Sequence, residues 1–153
     1  MAKNKNEVLL ELKDIKLKSE TVSTSEEYVF NNNLPQNSEL LFLSTGVQCR
    51  GYDGTGENEG LAVYVFRHKF GVKLLSEDES KPEVAKIECE YDAIYVQKNK
   101  DKIPSEEYLV NFSKNAEYNL WSFWREHSNS TFLKMGIPNV LLPLAPPLKS
   151  QKG

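Results

Sequence analysis

The chain is poor in cysteine and has no excess of positive charge, and each shortage excludes a class of protein. Its 153 residues contain only two cysteines, Cys49 and Cys89. They lie in different predicted strands and have no CxxC spacing, so they form no zinc or redox site by themselves. We expect two buried, reduced thiols, with a disulfide as the less favoured alternative. The 19 Lys and Arg are outnumbered by 22 Asp and Glu, for a net charge of -3, so no global basic field exists to hold nucleic acid.

The sequence also lacks a long uncharged stretch. No segment approaches the roughly 20 consecutive apolar residues that span a bilayer. Near the N-terminus, Glu11 and Lys13 interrupt the apolar residues and no small-residue cleavage site follows, so the segment does not fit a signal peptide. We therefore expect a cytoplasmic protein with no membrane insertion.

Glycine is concentrated in one place. Residues 51–60 contain four of the eight glycines, a residue that tolerates the positive φ angles of tight reversals. The segment lacks the Lys-Ser/Thr ending of a phosphate-binding loop and joins two predicted strands rather than a strand and a helix. It predicts a hairpin loop and no nucleotide cofactor.

Alternation of apolar and polar residues, the pattern of β-strands, dominates the first two thirds of the chain. In the first such segment the alternation slips by one residue, which indicates a β-bulge near Lys13 and Asp14. The polar segment 19–38, which contains Pro35, predicts a long connection. The predicted strands span residues 8–18, 39–50, 61–75 and 83–97.

A long helix follows the strands. Apolar residues recur at spacings of three and four over 115–135, and a proline followed by acids at 104–107 predicts a short helix before it. Gly136 fits a left-handed C-cap, and Pro138 prevents the helix from continuing. Strands and helices are segregated along a chain the size of one domain, which predicts an α+β fold.

The C-terminal third has an unusual order of parts. A helix with an aromatic-x-x-aromatic-Arg-Glu pattern ends at a glycine, and an apolar segment punctuated by prolines follows. The residues of this pattern are Trp121, Trp124, Arg125, Glu126, Thr131, Met135, Gly136, Pro138, Leu142 and Pro143. They resemble the end of the SecB family of export chaperones. The resemblance is good over 115–147, weaker around 87–90 and only topological before that.

The resemblance implies a single SecB-like domain over 1–153, with flexible ends at about 1–6 and 148–153. In the SecB family a four-stranded antiparallel sheet packs against the long helix, and protomers form a dimer of dimers. Such proteins hold unfolded polypeptides or preproteins in a groove of the tetramer. We therefore expect an ATP-independent, homotetrameric holdase with no enzyme activity, cofactor or metal.

The chain departs from the export form after the proline segment. SecB proper continues into another helix and a tail that contacts the SecA motor, whereas only residues 148–153 follow here. SecB-like relatives that chaperone a partner antitoxin also depart from the export form. The alternative hypothesis is therefore a dedicated SecB-like adaptor or chaperone for one partner, without general holdase activity.

The helix and the segment after it supply the residues predicted to contact a client. Helix-to-sheet packing is the favoured alternative for Trp121 and Trp124, whereas Phe123 lies on another side of the helix and is the better groove candidate. The apolar segment 137–144 either covers the protomer's own core or borders the client groove. The predicted client-binding residues are Trp121, Phe123, Trp124, Ile137, Leu141 and Leu142.

An acidic row and two histidines have both a structural and a functional interpretation. The row, on one face of the fourth strand, consists of Glu88, Glu90 and Asp92. A sheet face exposed to solvent is the favoured interpretation of the row, and the resemblance makes it a candidate docking site for SecA or another partner. His68 and His127 have no second ligand at metal-binding spacing. We predict structural histidines, and no acid/base or nucleophile constellation indicates an enzyme.

Overall fold

Four long strands and one long helix account for most of the residues that the computed structural model describes, which are 8–26, 38–76, 83–99, 101–137 and 140–147. The predicted flexible ends, 1–6 and 148–153, lie outside the described residues. A short 3-10 turn at Gly56–Asn58 lies between the second and third strands. The main elements are β1 (Leu10–Thr24), β2 (Ser38–Asp53), β3 (Ala62–Ser76), β4 (Glu83–Gln97) and α1 (Glu106–Lys134).

The strands form one antiparallel sheet in the order β1-β4-β3-β2. This arrangement, with the long helix following the sheet, confirms the predicted α+β fold. The central strands β3 and β4 supply most of the buried side chains, because each is paired on both edges and covered by α1 on one face. The outer strands β1 and β2 are the edges of the sheet.

Strand β1 is longer than the sequence predicted. Its pairing with β4 shifts register between Leu12 and Asp14, which confirms the predicted bulge, and shifts again between Leu17 and Ser19. The strand then continues to Thr24, so the prediction of a connection beginning at residue 19 was wrong. Pairing uses backbone N–H and C=O groups, which polar residues carry as well as apolar ones. The rest of that predicted connection, residues 27–37, lies outside the described residues.

Helix α1 is one continuous helix rather than the predicted short helix followed by a long one. The hydroxyl of Ser105 caps its start by accepting a hydrogen bond from the backbone N–H of Tyr108 at 3.1 Å. Gly136 follows its end with a φ of 78°, which confirms the predicted left-handed C-cap. No glycine or proline interrupts the residues between. Among the described residues, no helix is long and apolar enough to cross a membrane.

The core lies where α1 crosses β3 and β4. Trp121 and Trp124 are 2% and 0% exposed, and both rings contact Phe70 on β3. The Trp124 ring stacks on Phe70 at 5.7 Å between centroids, and the Trp121 ring meets it edge-on at 5.8 Å. These contacts fix the rotation of α1 about its axis and so decide which of its side chains face outward.

The segment after α1, residues 140–147, is a strap that returns along the helix. The indole N–H of Trp121 donates to the carbonyl of Pro143 at 2.7 Å, and Nε of Arg125 donates to the carbonyl of Leu142 at 2.8 Å. Oδ1 of Asn129 accepts from the backbone N–H of Leu142 at 3.1 Å. Proline has no backbone N–H to donate to a neighbouring strand, so the strap does not pair as a central strand of the sheet. Side chains of α1 hold it instead.

Both cysteines are free, as predicted, but only Cys89 is buried. The prediction that Cys49 is also buried was wrong, because this residue lies on the edge strand β2. Cys89 is 1% exposed; burial, with a further contribution from the charge of Glu20, raises the pKa of its thiol to about 12. Tyr91, two residues along on the same face, is 4% exposed. Its pKa is also raised, chiefly by burial and then by the nearby Cys89 and carboxylates. The folded protein therefore holds both groups in their neutral forms.

These shifts predict that alkali destabilises the fold. A raised folded pKa contributes stability below the unfolded pKa, about 8.5 for Cys and about 10 for Tyr, and that stability is lost as the pH rises toward the folded pKa. The free energy of unfolding should fall from about pH 9 to about pH 12, by at most about 1.4 kcal/mol per pH unit for each group. Denaturant titrations across this range measure the slope. Cys89→Ala should reduce this slope more than Cys49→Ala does, because the Cys49 thiol is only half-buried. Equal slopes for the two variants would contradict this prediction.

Candidate functional site

Helix α1 covers the middle of one sheet face and leaves apolar surface on both sides of itself. It packs against β2, β3 and β4. The side chains of β1 that share this face lie largely beyond the helix, and three of them are 38–45% exposed: Leu12, Leu17 and Val22. The margins of this face that α1 leaves uncovered are therefore the candidate binding surfaces for an apolar ligand.

On the β1 side, a cleft of about 350 Å³ opens between α1 and the sheet and is hereafter the β1 cleft. Phe123 projects from α1 at 49% exposure, and Leu17 faces it from β1 at 45%. A cleft with an apolar floor and a few polar groups is typical of sites that take an apolar side chain of a ligand. Its lining is Ile15, Leu17, Tyr91, Phe123, Glu126, His127 and Ser130.

A second groove, also about 350 Å³, lies between β2 and the first half of α1 and is hereafter the β2 groove. Strand β2 shifts register between Gly46 and Gln48, which leaves Val47 unpaired and 46% exposed. Val110 faces it from the helix at 63% exposure. The apolar lining is Val47, Cys49, Phe66, Leu109, Val110 and Ala116.

The structure separates the six residues predicted to bind a client into two groups. Four are core residues at 0–2% exposure: Trp121, Trp124, Ile137 and Leu142. They cannot contact a client in this conformation, because the helix-to-sheet packing and the strap enclose them. Phe123 and Leu141 are 49% and 68% exposed. Phe123 lies outside the core, as its position on the helix predicts, and contact with a client stays a prediction for these two.

The predicted docking row lies on the sheet face that α1 does not cover. Asp92 accepts two hydrogen bonds from the guanidinium of Arg67, at 2.9 and 3.1 Å. A carboxylate oxygen of Glu88 lies 2.9 Å from Nζ of Lys86, and the other lies 3.7 Å from Nζ of Lys69. The hydrogen bond from Lys86 lowers the pKa of Glu88. Cross-strand ion pairs therefore occupy two of the three carboxylates.

Glu90, the third member of the row, stands opposite Lys69 in the β3-β4 register. The face is therefore mixed in charge rather than acidic, because each carboxylate has a basic neighbour. A partner with a basic surface would have to compete with these pairs. Docking through this row stays a prediction.

His68 is a buried residue whose side chain connects β3 to β2 and α1. It is 4% exposed, and its Nε2 lies 2.8 Å from Oγ of Ser44 on β2 and 3.3 Å from a carboxylate oxygen of Glu117 on α1. The imidazole thus links three elements of the core. This position agrees with the predicted structural role.

One group of possible metal ligands was missed by the sequence reasoning. Glu20, Cys89 and His127 place their ligand atoms within 4.8 Å of one another, and Nε2 of His127 lies 2.8 Å from a carboxylate oxygen of Glu20. The sequence has no second ligand at metal-binding spacing from His127, and spacing along the chain does not report contacts that the fold creates. Glu20 lies on β1, Cys89 on β4 and His127 on α1, so only the fold brings them together.

Comparison with known proteins gives a structural match without a sequence match. No family model matches the chain, and no curated protein sequence does. The SecB-like chaperone of Mycobacterium tuberculosis, solved in complex with a ChAD peptide from the HigA1 antitoxin, aligns with a TM-score of 0.68 and 17% identity over 91% of this chain and 93% of that chain. A protein of unknown function from Streptococcus agalactiae aligns with a TM-score of only 0.37 and 11% identity over 90% of this chain and 98% of that chain. From the first of these matches, the chain has a SecB-like fold.

Proposed function

We propose that this protein is an ATP-independent SecB-like chaperone that binds extended, non-native polypeptide along the β1 cleft. The observation that carries the proposal is a half-exposed aromatic side chain, Phe123, over an open apolar cleft in a SecB-like fold. Binding of this kind requires no chemistry. The proposal therefore assigns the protein no catalytic activity.

The size and lining of the β1 cleft suit weak, unselective contacts. Non-native chains expose apolar side chains that folded proteins bury. Burying a half-exposed aromatic such as Phe123 against one of them contributes on the order of 1 kcal/mol. Leu141, 68% exposed on the strap and outside the lining of this cleft, is the second proposed contact. Several such contacts along an extended client add up to useful affinity without selecting one sequence.

The edge of β1 supports the same proposal. No described strand pairs with the outer edge of β1, so its backbone N–H and C=O groups can pair with an extended client. A client strand added there would place alternate side chains beside the exposed Leu12, Leu17 and Val22. Backbone pairing is independent of sequence, which is what a chaperone for many clients needs.

A second candidate function is that of a dedicated chaperone for one partner, such as an antitoxin. The observation that favours it is that the mycobacterial SecB-like chaperone was solved with a peptide from an antitoxin. The same β1 cleft would then bind one defined segment tightly. In this form the protein would show no general holding activity.

We extend the proposal to a homotetramer built as a dimer of dimers. Helix α1 exposes three large apolar side chains, Val110, Tyr118 and Leu133, at 63–67%. Apolar side chains exposed along a long helix are suited to packing against another copy. The face that carries Glu88, Glu90 and Asp92 would stay outside such a helix-to-helix contact, and we propose it as the surface for SecA or another partner.

Suppression of aggregation separates the two candidate functions. Several unrelated denatured proteins are diluted into buffer with the purified chain at equimolar amounts of its oligomer, and light scattering is followed. Protection of all of them is the result expected of a holdase. Protection of none, with the oligomer intact, would overturn general holdase activity and leave the dedicated chaperone, for which pull-down with a specific partner is the next test.

A further inference from the structure

Three potential metal ligands of different chemistry converge where α1 passes over β1 and β4. Glu20 and Cys89 are direct partners in the β1-β4 register, so their side chains leave the sheet on the same face. His127 reaches them from α1, with Nε2 at 2.8 Å from a carboxylate oxygen of Glu20. All three ligand atoms lie within 4.8 Å of one another.

A thiolate, an imidazole and a carboxylate are the ligands that zinc prefers in proteins. Magnesium and calcium prefer sets made only of oxygen atoms, so the sulfur and nitrogen argue against them. In a tetrahedral zinc site with bonds of about 2.0–2.3 Å, neighbouring ligand atoms stand about 3.3–3.7 Å apart. The present separations need to change by about 1 Å or less to reach that geometry.

The positions of the three groups allow such an adjustment. Cys89 is 1% exposed and is fixed in the core. The side chains of Glu20 and His127 are 33% and 28% exposed, so both can rotate. His127 also lines the β1 cleft, which leaves the fourth position of a tetrahedral ion open to solvent or to a group in the cleft.

We propose that Glu20, Cys89 and His127 form a binding site for a divalent transition-metal ion, with zinc the best match. The ion ties the edge strand β1 to α1 next to Phe123. It thereby couples the position of β1 to the lining of the β1 cleft. The site does not depend on the proposed chaperone function and can be tested without any client.

Binding must displace the proton of the Cys89 thiol. Burial keeps that thiol protonated, since its pKa is raised to about 12. The ion therefore releases a proton when it binds, and its affinity falls as the pH is lowered. Tyr91 and Glu126 also line this cleft and face the same region; the carboxylate of Glu126 adds negative charge that favours a cation.

Titration of the full-length, reduced protein with Co²⁺ tests the proposal, because Co²⁺ occupies zinc sites and reports its ligands by absorption. We expect one ion per chain, a thiolate-to-cobalt charge-transfer band, and displacement by Zn²⁺. His127→Ala should weaken binding by at least about 100-fold, since even outer-shell partners of a metal are worth about 10- to 100-fold. Cys89→Ser should abolish the charge-transfer band. Cys49→Ser, which removes a thiol on β2, should leave both the band and the affinity unchanged.

Any one of three results would overturn the proposed metal site. The unaltered chain shows no saturable binding of Co²⁺ or Zn²⁺, the charge-transfer band survives Cys89→Ser, or His127→Ala leaves the affinity unchanged. Position 89 is buried, so Cys89→Ser could impair folding. His127→Ala and Glu20→Gln change partly exposed side chains and keep the test decisive in that event.

Discussion

Replacement of Trp124 by alanine should destabilise the protein by about 3–5 kcal/mol. Trp124 has no exposed surface, and its ring stacks on Phe70 with an angle of 12° between planes. Truncation removes this contact from the centre of the helix-to-sheet core and leaves a cavity that a close-packed interior cannot fill without strain. Denaturant titration followed by far-ultraviolet circular dichroism measures the free energy of unfolding.

Phe123→Ala is the matched control, one position earlier on the same helix. Phe123 is 49% exposed, so its truncation should cost less than about 1.5 kcal/mol. Trp124→Phe should fall between the two, because it keeps a ring against Phe70 and removes an indole N–H that has no hydrogen-bond partner within the described residues. Equal losses for Trp124→Ala and Phe123→Ala would contradict the division between core and surface.

Phe123→Glu should weaken binding of an unfolded polypeptide at least tenfold, or about 1.4 kcal/mol. The change replaces the aromatic wall of the β1 cleft by a charge that would lose water when a client's apolar side chain enters. The fold should persist, since the position is half-exposed. Fluorescence anisotropy with a labelled, permanently unfolded polypeptide measures the dissociation constant.

Tyr52→Glu provides the comparison for this experiment. Tyr52 is an aromatic on β2, 53% exposed, and it is absent from the lining of the β1 cleft. The same charge at this position should leave the intrinsic affinity of each site for polypeptide within about twofold, a difference of about 0.4 kcal/mol. If the two variants bind equally well, the β1 cleft is not the binding site.

Much of the fold could be predicted because the local pattern and the final packing agree. Strand β4 spans the predicted residues, Glu83–Gln97, since its alternation places small and apolar side chains under α1 and charged ones on the opposite face. Gly136 ends the helical region as predicted, because its φ of 78° suits glycine. Local rules suffice where one residue or one periodicity decides the outcome.

The parts that could not be predicted depend on partners distant in the sequence. Residues 19–24 contain one apolar side chain, Val22, which is too few to show alternation, yet they pair with β4 through the backbone. The first turns of α1 are held by the Ser105 cap and by contacts of the Phe112 ring with Phe66 on β3 and Tyr95 on β4. The register of an edge strand and the start of a helix are therefore set by tertiary context.

The candidate site shows the same limit. Helical spacing separated Phe123 from Trp121, and that distinction agrees with their exposures of 49% and 2%. Spacing could not decide which of the other apolar residues would be enclosed by the strap. It also gave no sign of the Glu20, Cys89 and His127 cluster, which exists only because β1 reaches Glu20 in register with Cys89.

Native mass spectrometry of the purified chain, alone and with an unfolded polypeptide, is the most direct test of the proposed chaperone function. We expect a homotetramer that gains an extended client without ATP. An oligomer or monomer that forms no complex with any unfolded polypeptide would contradict the proposed holdase.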